Sequence, residues 1–463
     1  MAVNYGPNLH ESSALHSKTE NATRFNRLVK IPPTIRAVPV SDLGAVSYGV
    51  VFTGDTTATA SQEKLDPTTG LGTCQIIFGA SDNAGQRLTF NNLSSPFSLP
   101  DDDIYLVPVW LESTPVGADA PRVRLMTSDL VSPDGNSYRW ATWNNTWLRK
   151  GWNILSVKNT ETQIGANEYG NLAGTSSSVV PLQWAGVGTT ASNSTVRSLH
   201  LIFENCGGRT IHVGAIHTAK KKWCTSVVIF CTDDGVGSTL SIFTPVLRRY
   251  GWNAVHNIVA STTSGLTSGR LALSDLKKLQ AEGDELWGHG ASHDSFTTAT
   301  TLELQRLIRE IRNYGRANGI PSIGRYMAYP YNDYNDAVVT EMRAQGYKLA
   351  RGLRGNFMSS WIPGLGPLYL PSIAIETQNS WNADAALRGC ILRGQAVMVY
   401  MHNAVAGGGG DTYPGPTSYY EEHLKRWCAM IAEYELSGDV EVMTPTQYFR
   451  SCGIDPAVDD MVD

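Results

Sequence analysis

The chain has 463 residues, of which 42% are hydrophobic and 17% charged, and a formal net charge of -5. That length exceeds one ordinary domain, and the composition excludes a wholly disordered chain. The acidic balance without a long basic run argues against sequence-independent nucleic-acid binding, and no apolar run approaches a membrane span.

Residues 1–34 are polar and lack periodicity, and read as an arm ordered only by a partner. The opening MAVNYGPNLHESS has no apolar h-region, so synthesis in a cytoplasm without a secretory signal is expected. Residues 35–219 carry short apolar or alternating runs such as IYLVPVWL, YRWATW and VRSLHLIFE, separated by Gly, Asn, Asp, Ser and Pro. No helix-period segment interrupts them, which predicts a β-sandwich of jelly-roll type. Asp134-Gly135 and Cys206-Gly207-Gly208 fit hairpin turns. Trp140, Trp143, Trp147 and Trp152 are read as core residues before a sugar-stacking platform. The seven cysteines (74, 206, 224, 231, 390, 428 and 452) contain no Cys-x-x-Cys pair, which argues against a disulfide framework or thiolate zinc site.

At Lys220-Lys221-Lys222 the pattern changes to strands alternating with helices, which predicts a distorted (β/α) barrel over 220–463. Strands are expected at 226–231, 254–259, 285–289, 325–330, 348–351, 368–375, 396–401 and 440–443. Helices are expected at 240–250, 274–282, 301–317, 336–345, 383–393 and 418–436. Leu304, Leu307, Ile308 and Ile311 give the third helix an apolar stripe. Thr300 with Glu303, and Ser418 with Glu421, fit capping boxes. The chain is therefore a multidomain protein, a sandwich followed by an α/β domain.

Parallel barrels gather reactive groups at the rim where strands end. The first strand, in TSVVIFCTDDG, ends in Asp233 and Asp234. Two adjacent carboxylates repel and need a cation or donors to stay ionised. The third strand leads into His289 and His293, the fourth into Tyr329, Pro330 and Tyr331, and the seventh into His402. Two histidines and a carboxylate make three ligands with an open position, the count of a catalytic zinc site, although non-haem iron accepts the same set.

These segments resemble the motifs of polysaccharide deacetylases, carbohydrate esterase family 4. TDDG resembles the first motif without its Phe, HGASH the second with Gly290 at the hydroxyl position, and Met327-Ala328-Tyr329-Pro330-Tyr331 the third. Val399-Tyr400-Met401-His402-Asn403 resembles the last. The resemblance covers about 225–450. It implies that Asp234, His289 and His293 hold a divalent metal, usually zinc. It further implies Asp233 as general base, His402 as general acid, and the Tyr331 N–H in the oxyanion hole. The arginine that pairs the base in many members is replaced by Ala328, leaving Arg325, Arg351 or Arg354 to substitute. Tyr329, Arg351, Arg354 and Trp361 are the candidate substrate contacts, and Trp361 and Trp381 are candidates for orienting His402. The implied substrate is an acetylated polysaccharide. Without a secretory signal, a bacteriophage tail spike is the expected setting, as a homotrimer attached to the virion through the arm. The rival readings are an inactive glycan-binding adhesin and a glycoside hydrolase using Asp233.

Overall fold

The computed structural model describes residues 48–51 and most of 56–461, omitting short stretches of which 160–184, 376–382, 115–120, 220–225 and 353–358 are the longest. The arm, and with it the expected virion anchor, lies outside the described residues, as do Trp147, Arg354, Trp361 and Trp381.

The N-terminal part forms two antiparallel sheets. One runs in the order 48–51, 86–90, 198–204, 122–128, 138–143, 185–187; the other contains 151–158, 104–111, 210–213, 73–77 and 57–61. Alternation decides which side chains face inward. In Tyr138–Trp143, Arg139, Ala141 and Trp143 are buried while Tyr138, Trp140 and Thr142 are half-buried. The sheets share an apolar interior, where Phe78 meets Phe203 edge to face at 5.8 Å. Trp143 is buried in the shared interior, as expected of a core residue; Trp152 is also buried, but on the face of its strand opposite Leu155 and Val157, and Trp140 lies on the outer face beside Tyr138. The turn at 206–208 does not close a hairpin. Its flanking strands belong to different sheets, and Asn205 and Gly208, both at positive φ, carry the chain across.

The C-terminal part is a ring of parallel strands. We number them β1 (Ser226–Thr232), β2 (Val255–Ile258), β3 (Glu285–Gly288), β4 (Tyr326–Ala328), β5 (Leu349–Arg351), β6 (Ser372–Ala374), β7 (Ala396–Met401) and β8 (Val440–Val442). β1 is buried throughout, the pattern of a strand covered on both faces. The ladder runs β5-β4-β3-β2-β1-β7-β6, and a parallel bridge between Arg351 and Leu370 brings its two edges together. β8 pairs with the start of β1. The barrel is thus nearly closed.

Helices cover the strands at Leu273–Ala281, Thr301–Ala317, Asp336–Ala344, Ala383–Leu392, Glu421–Ser437 and Pro445–Ser451. Leu304, Leu307, Ile308 and Ile311 are buried as their spacing predicts, and Thr300 accepts the Glu303 N–H at its N-cap. Two expectations need correction. The helix expected from 240 begins with a π-helical turn at Thr239–Phe243. The one expected from 418 begins at Glu421, because Ser418–Tyr420 pairs as a strand with Asn403–Val405 and leaves no cap at Ser418.

Candidate functional site

Because the barrel strands are parallel, β1, β3, β4 and β7 end on one rim. The next residues, Asp233, His289, Tyr329 and His402, are therefore brought together from across the sequence. An open pocket of about 630 Å³ lies there, lined by Asp233, Asp234, His289, His293, Tyr331 and His402 among others.

The two aspartates face different surroundings. Asp233 is 1% exposed, and its N–H donates to the Met401 carbonyl at 2.9 Å, fixing the end of β1 against the end of β7. Its Oδ1 accepts from Asn257 at 2.8 Å and from the Arg351 guanidinium. Burial alone would push this carboxyl up. Arg351, His289 and His402 outweigh burial and hold it below the usual carboxylate range. Asp234 turns outward through a left-handed backbone conformation, φ 65°. Its Oδ1 lies 3.6 Å from His289 Nε2 and 3.4 Å from His293 Nε2.

His289 is buried, and its Nδ1 donates to the Ala328 carbonyl at 2.9 Å. That bond fixes the tautomer and leaves the Nε2 lone pair facing the pocket. Burial pushes its pKa down to about 4, with Asp233 opposing and His293 and Arg351 assisting. The two Nε2 atoms stand 3.1 Å apart.

A divalent cation fits this donor set. Asp234 Oδ1 is buried and has no hydrogen-bond partner among the described residues, although two imidazole nitrogens face it. A buried carboxylate oxygen left this way is costly unless something positive sits beside it. The three ligand atoms lie within 4.8 Å of one another.

The backbone supports the same conclusion. Asp234, His293, Tyr331 and Asn332 are four of the five non-glycine residues at positive φ among the described residues. Such strain collects where the chain must aim side chains at a common point. The Tyr331 ring is 65% exposed and tilts against His293 at 4.5 Å between centroids.

Two expected substrate contacts are corrected. Tyr329 is fully buried, donates from its hydroxyl to the Leu368 carbonyl at 3.0 Å, and stacks on Tyr334. Arg351 is also fully buried. It pairs with Asp233, donates to Asn332 Oδ1 at 2.7 Å and lies over the Tyr400 ring at 4.6 Å. Both support the rim from below and reach no open surface. Of the three arginines considered as partners of Asp233, Arg351 occupies that place.

Other residues of the site carry no clear signal in the sequence. Asn257 has no sequence signal beyond being one of two polar residues, with His256, in β2. Arg270 lines the pocket, donates to the Asp234 carbonyl at 2.8 Å and approaches its Oδ2 at 3.6 Å. Asn403, Thr417 and Ser418 complete the opposite wall.

Fold and site together define a parallel α/β barrel with a candidate metal centre at its C-terminal rim. Residues 220–350 match the sequence model of the polysaccharide deacetylase family. No curated protein matches the chain. Among solved structures it is similar to the Streptococcus pyogenes deacetylase PplD in complex with acetate, at 20% identity over 35% of this chain and 69% of that one, TM-score 0.31. It is also similar to a family 4 carbohydrate esterase from Streptomyces lividans in complex with acetate, at 15% identity over 52% and 98%, TM-score 0.33. A third is BA3943, a CE4 family pseudoenzyme from Bacillus anthracis, at 14% identity over 49% and 66%, TM-score 0.33.

Proposed function

We propose that the chain is a metal-dependent hydrolase that removes acetyl groups from a polysaccharide. The observation that carries this reading is the partnerless, buried Oδ1 of Asp234 facing the Nε2 atoms of His289 and His293. Those three residues would hold the cation, with zinc the first choice. When bound, such an ion lowers the pKa of water and polarises a carbonyl. Asp233, kept ionised by Arg351, takes the proton from the attacking water. The Tyr331 N–H donates to the oxyanion, a contribution of about 3 kcal/mol for one such donor. His402, across the pocket, gives its proton to the departing alcohol or amine.

The domain division at 35–219 and 220–463 belongs to this proposal, with the sandwich a jelly-roll module that holds glycan or scaffold. So does a surface-polysaccharide setting such as a bacteriophage tail spike, which a search of purified virions for the chain would test. The primary experiment measures metal content of the purified protein and acetate release from acetylated polysaccharides with and without chelator. Bound metal and chelator-sensitive release are expected. Glycan binding without acetate release would instead identify an inactive receptor-binding protein, and new reducing ends would identify a glycoside hydrolase.

A further inference from the structure

The loop after the carboxylate pair is fastened on both sides. On one side, Gly237 N–H donates to the Gly269 carbonyl at 2.7 Å and Leu271 N–H to the Gly235 carbonyl at 2.8 Å. On the other, the Ser238 hydroxyl donates to Asn403 Oδ1 at 3.1 Å and accepts the Ala404 N–H at 3.0 Å. One hydroxyl can donate and accept at once, and here it does both to consecutive residues. Those residues directly follow His402. The residue before His402 is held as well, since the Met401 carbonyl accepts the Asp233 N–H, and Asn403 N–H donates to the Thr417 carbonyl at 3.2 Å.

We infer that Ser238 is a positioning residue for the general acid: by latching Asn403 and Ala404 to the loop that carries Asp234, it sets the place of His402 relative to the carboxylate pair. The inference rests on the reading of His402 as the acid. The loop leaves β1 with Asp233 and Asp234 and reaches Ser238 four residues after Asp234. Base, metal ligand and acid are thus tied through a single stretch of backbone. His402 follows the end of β7, where the ladder to β1 gives out, and its neighbours on the C-terminal side pair with Ser418–Tyr420, a contact that does not tie them to the loop carrying Asp234. Ser238 supplies that tie.

General acid catalysis contributes about 10²- to 10⁴-fold, and only where the leaving group needs a proton. The test therefore compares two kinds of acetyl donor. One is acetylated xylan or N-acetylglucosamine oligomers, whichever the wild type turns over, with a poor leaving alcohol or amine. The other is 4-nitrophenyl acetate, whose phenolate departs unprotonated. In Ser238→Ala we expect kcat on the sugar substrate to fall about tenfold with KM within about twofold, while activity on the nitrophenyl ester falls less than about twofold. Ser238→Thr, which keeps the hydroxyl, should recover most of the loss. Bound metal and thermal midpoint are measured alongside. Equal losses on both donors, no loss on either, or loss of metal in Ser238→Ala would each overturn the inference. A metal-loaded wild type that releases no acetate from any sugar would overturn the deacetylase reading itself, and this inference with it.

Discussion

Asp233 and Asp234 have different environments, which suit the separate roles proposed for them. Asp233 is sealed against Arg351 and Asn257, while Asp234 presents an oxygen to two imidazoles. Asp233→Asn should therefore keep the metal and lose turnover, and Asp234→Ala should lose the metal; metal analysis beside an acetate assay separates them. Arg351 lowers the pKa of Asp233, so Arg351→Gln should raise it. The base is then protonated at higher pH, and the acid limb of kcat/KM against pH should move upward. A limb that stays in place would show that another group holds Asp233 ionised. Removing this buried cation should also cost on the order of 3 kcal/mol of stability, because Asp233 is left without its partner. Arg270 grips the carbonyl and approaches the carboxylate of Asp234, so Arg270→Ala should weaken metal affinity by about tenfold in a chelator competition. The carboxylate pair, the histidine pair and His402 were legible as residue types at strand ends. The different roles of the two aspartates follow from the family resemblance, but which of Arg325, Arg351 and Arg354 pairs with Asp233 was not legible, because Arg351 lies 118 residues away and nothing local marks it as the partner.

At the scale of elements, the connection from β3 to the helix at Thr301 places both histidines within one tight turn. Gly290, where the resembling motif has a hydroxyl residue, sits at φ +84°. A Cβ there would stand 3.2 Å from Pro330 Cγ and 3.3 Å from His293 N. Gly290→Ala should therefore cost about 1–2 kcal/mol and weaken metal binding by displacing His293. Denaturant midpoints and metal titration of the variant would check both, and unchanged metal affinity would show that the turn tolerates a side chain. Elements governed by periodicity could be read in advance: the stripe Leu304, Leu307, Ile308, Ile311 is buried as spaced. Elements governed by distant pairing could not. Ser418–Tyr420 has the composition of a helix start, yet it is a strand because Asn403–Val405 lies beside it. The 206–208 turn looked like a hairpin, since a Gly-rich turn does not state which sheet the next strand joins.

The two halves of the molecule are not independent. The short strand Ser359–Ser360, eight residues beyond the end of β5, pairs with Ile154 and Leu155 of the N-terminal sheet, and Thr114 donates to Asp336 at 3.2 Å. One contiguous set of buried side chains runs from Leu88 and Phe203 in the sandwich to Val228 and Phe230 in β1. A shared core of this kind predicts a single cooperative unfolding transition. Both halves also bury neutral histidines. Burial, with Arg87 close by, pushes His200 in the sandwich down to about 4, and burial does the same to His289 in the barrel. Burial lowers His212 and His217 of the sandwich as well. Unfolding returns each to the ordinary value of 6.5, so between pH 6.5 and about 4 the unfolded chain binds protons that the folded chain does not. Stability is full above 6.5 and falls as pH drops through that window, by about 3 kcal/mol for each of His200 and His289. Asp233 and Asp284, whose folded pKa values lie below the usual 3.8, lose their contribution only at lower pH, and Glu303, lowered from 4.5 by its bond with Arg306, does so only from about 4.5 down, so the upper part of the window belongs to the histidines. Urea midpoints of chelator-treated protein at pH 7 and 4.5 should show one transition at both, at lower urea in acid. His200→Gln should reduce the difference between the two pH values. Two transitions would show that the sandwich and barrel unfold separately, and an unchanged pH difference in His200→Gln would show that His200 is not held neutral by the fold.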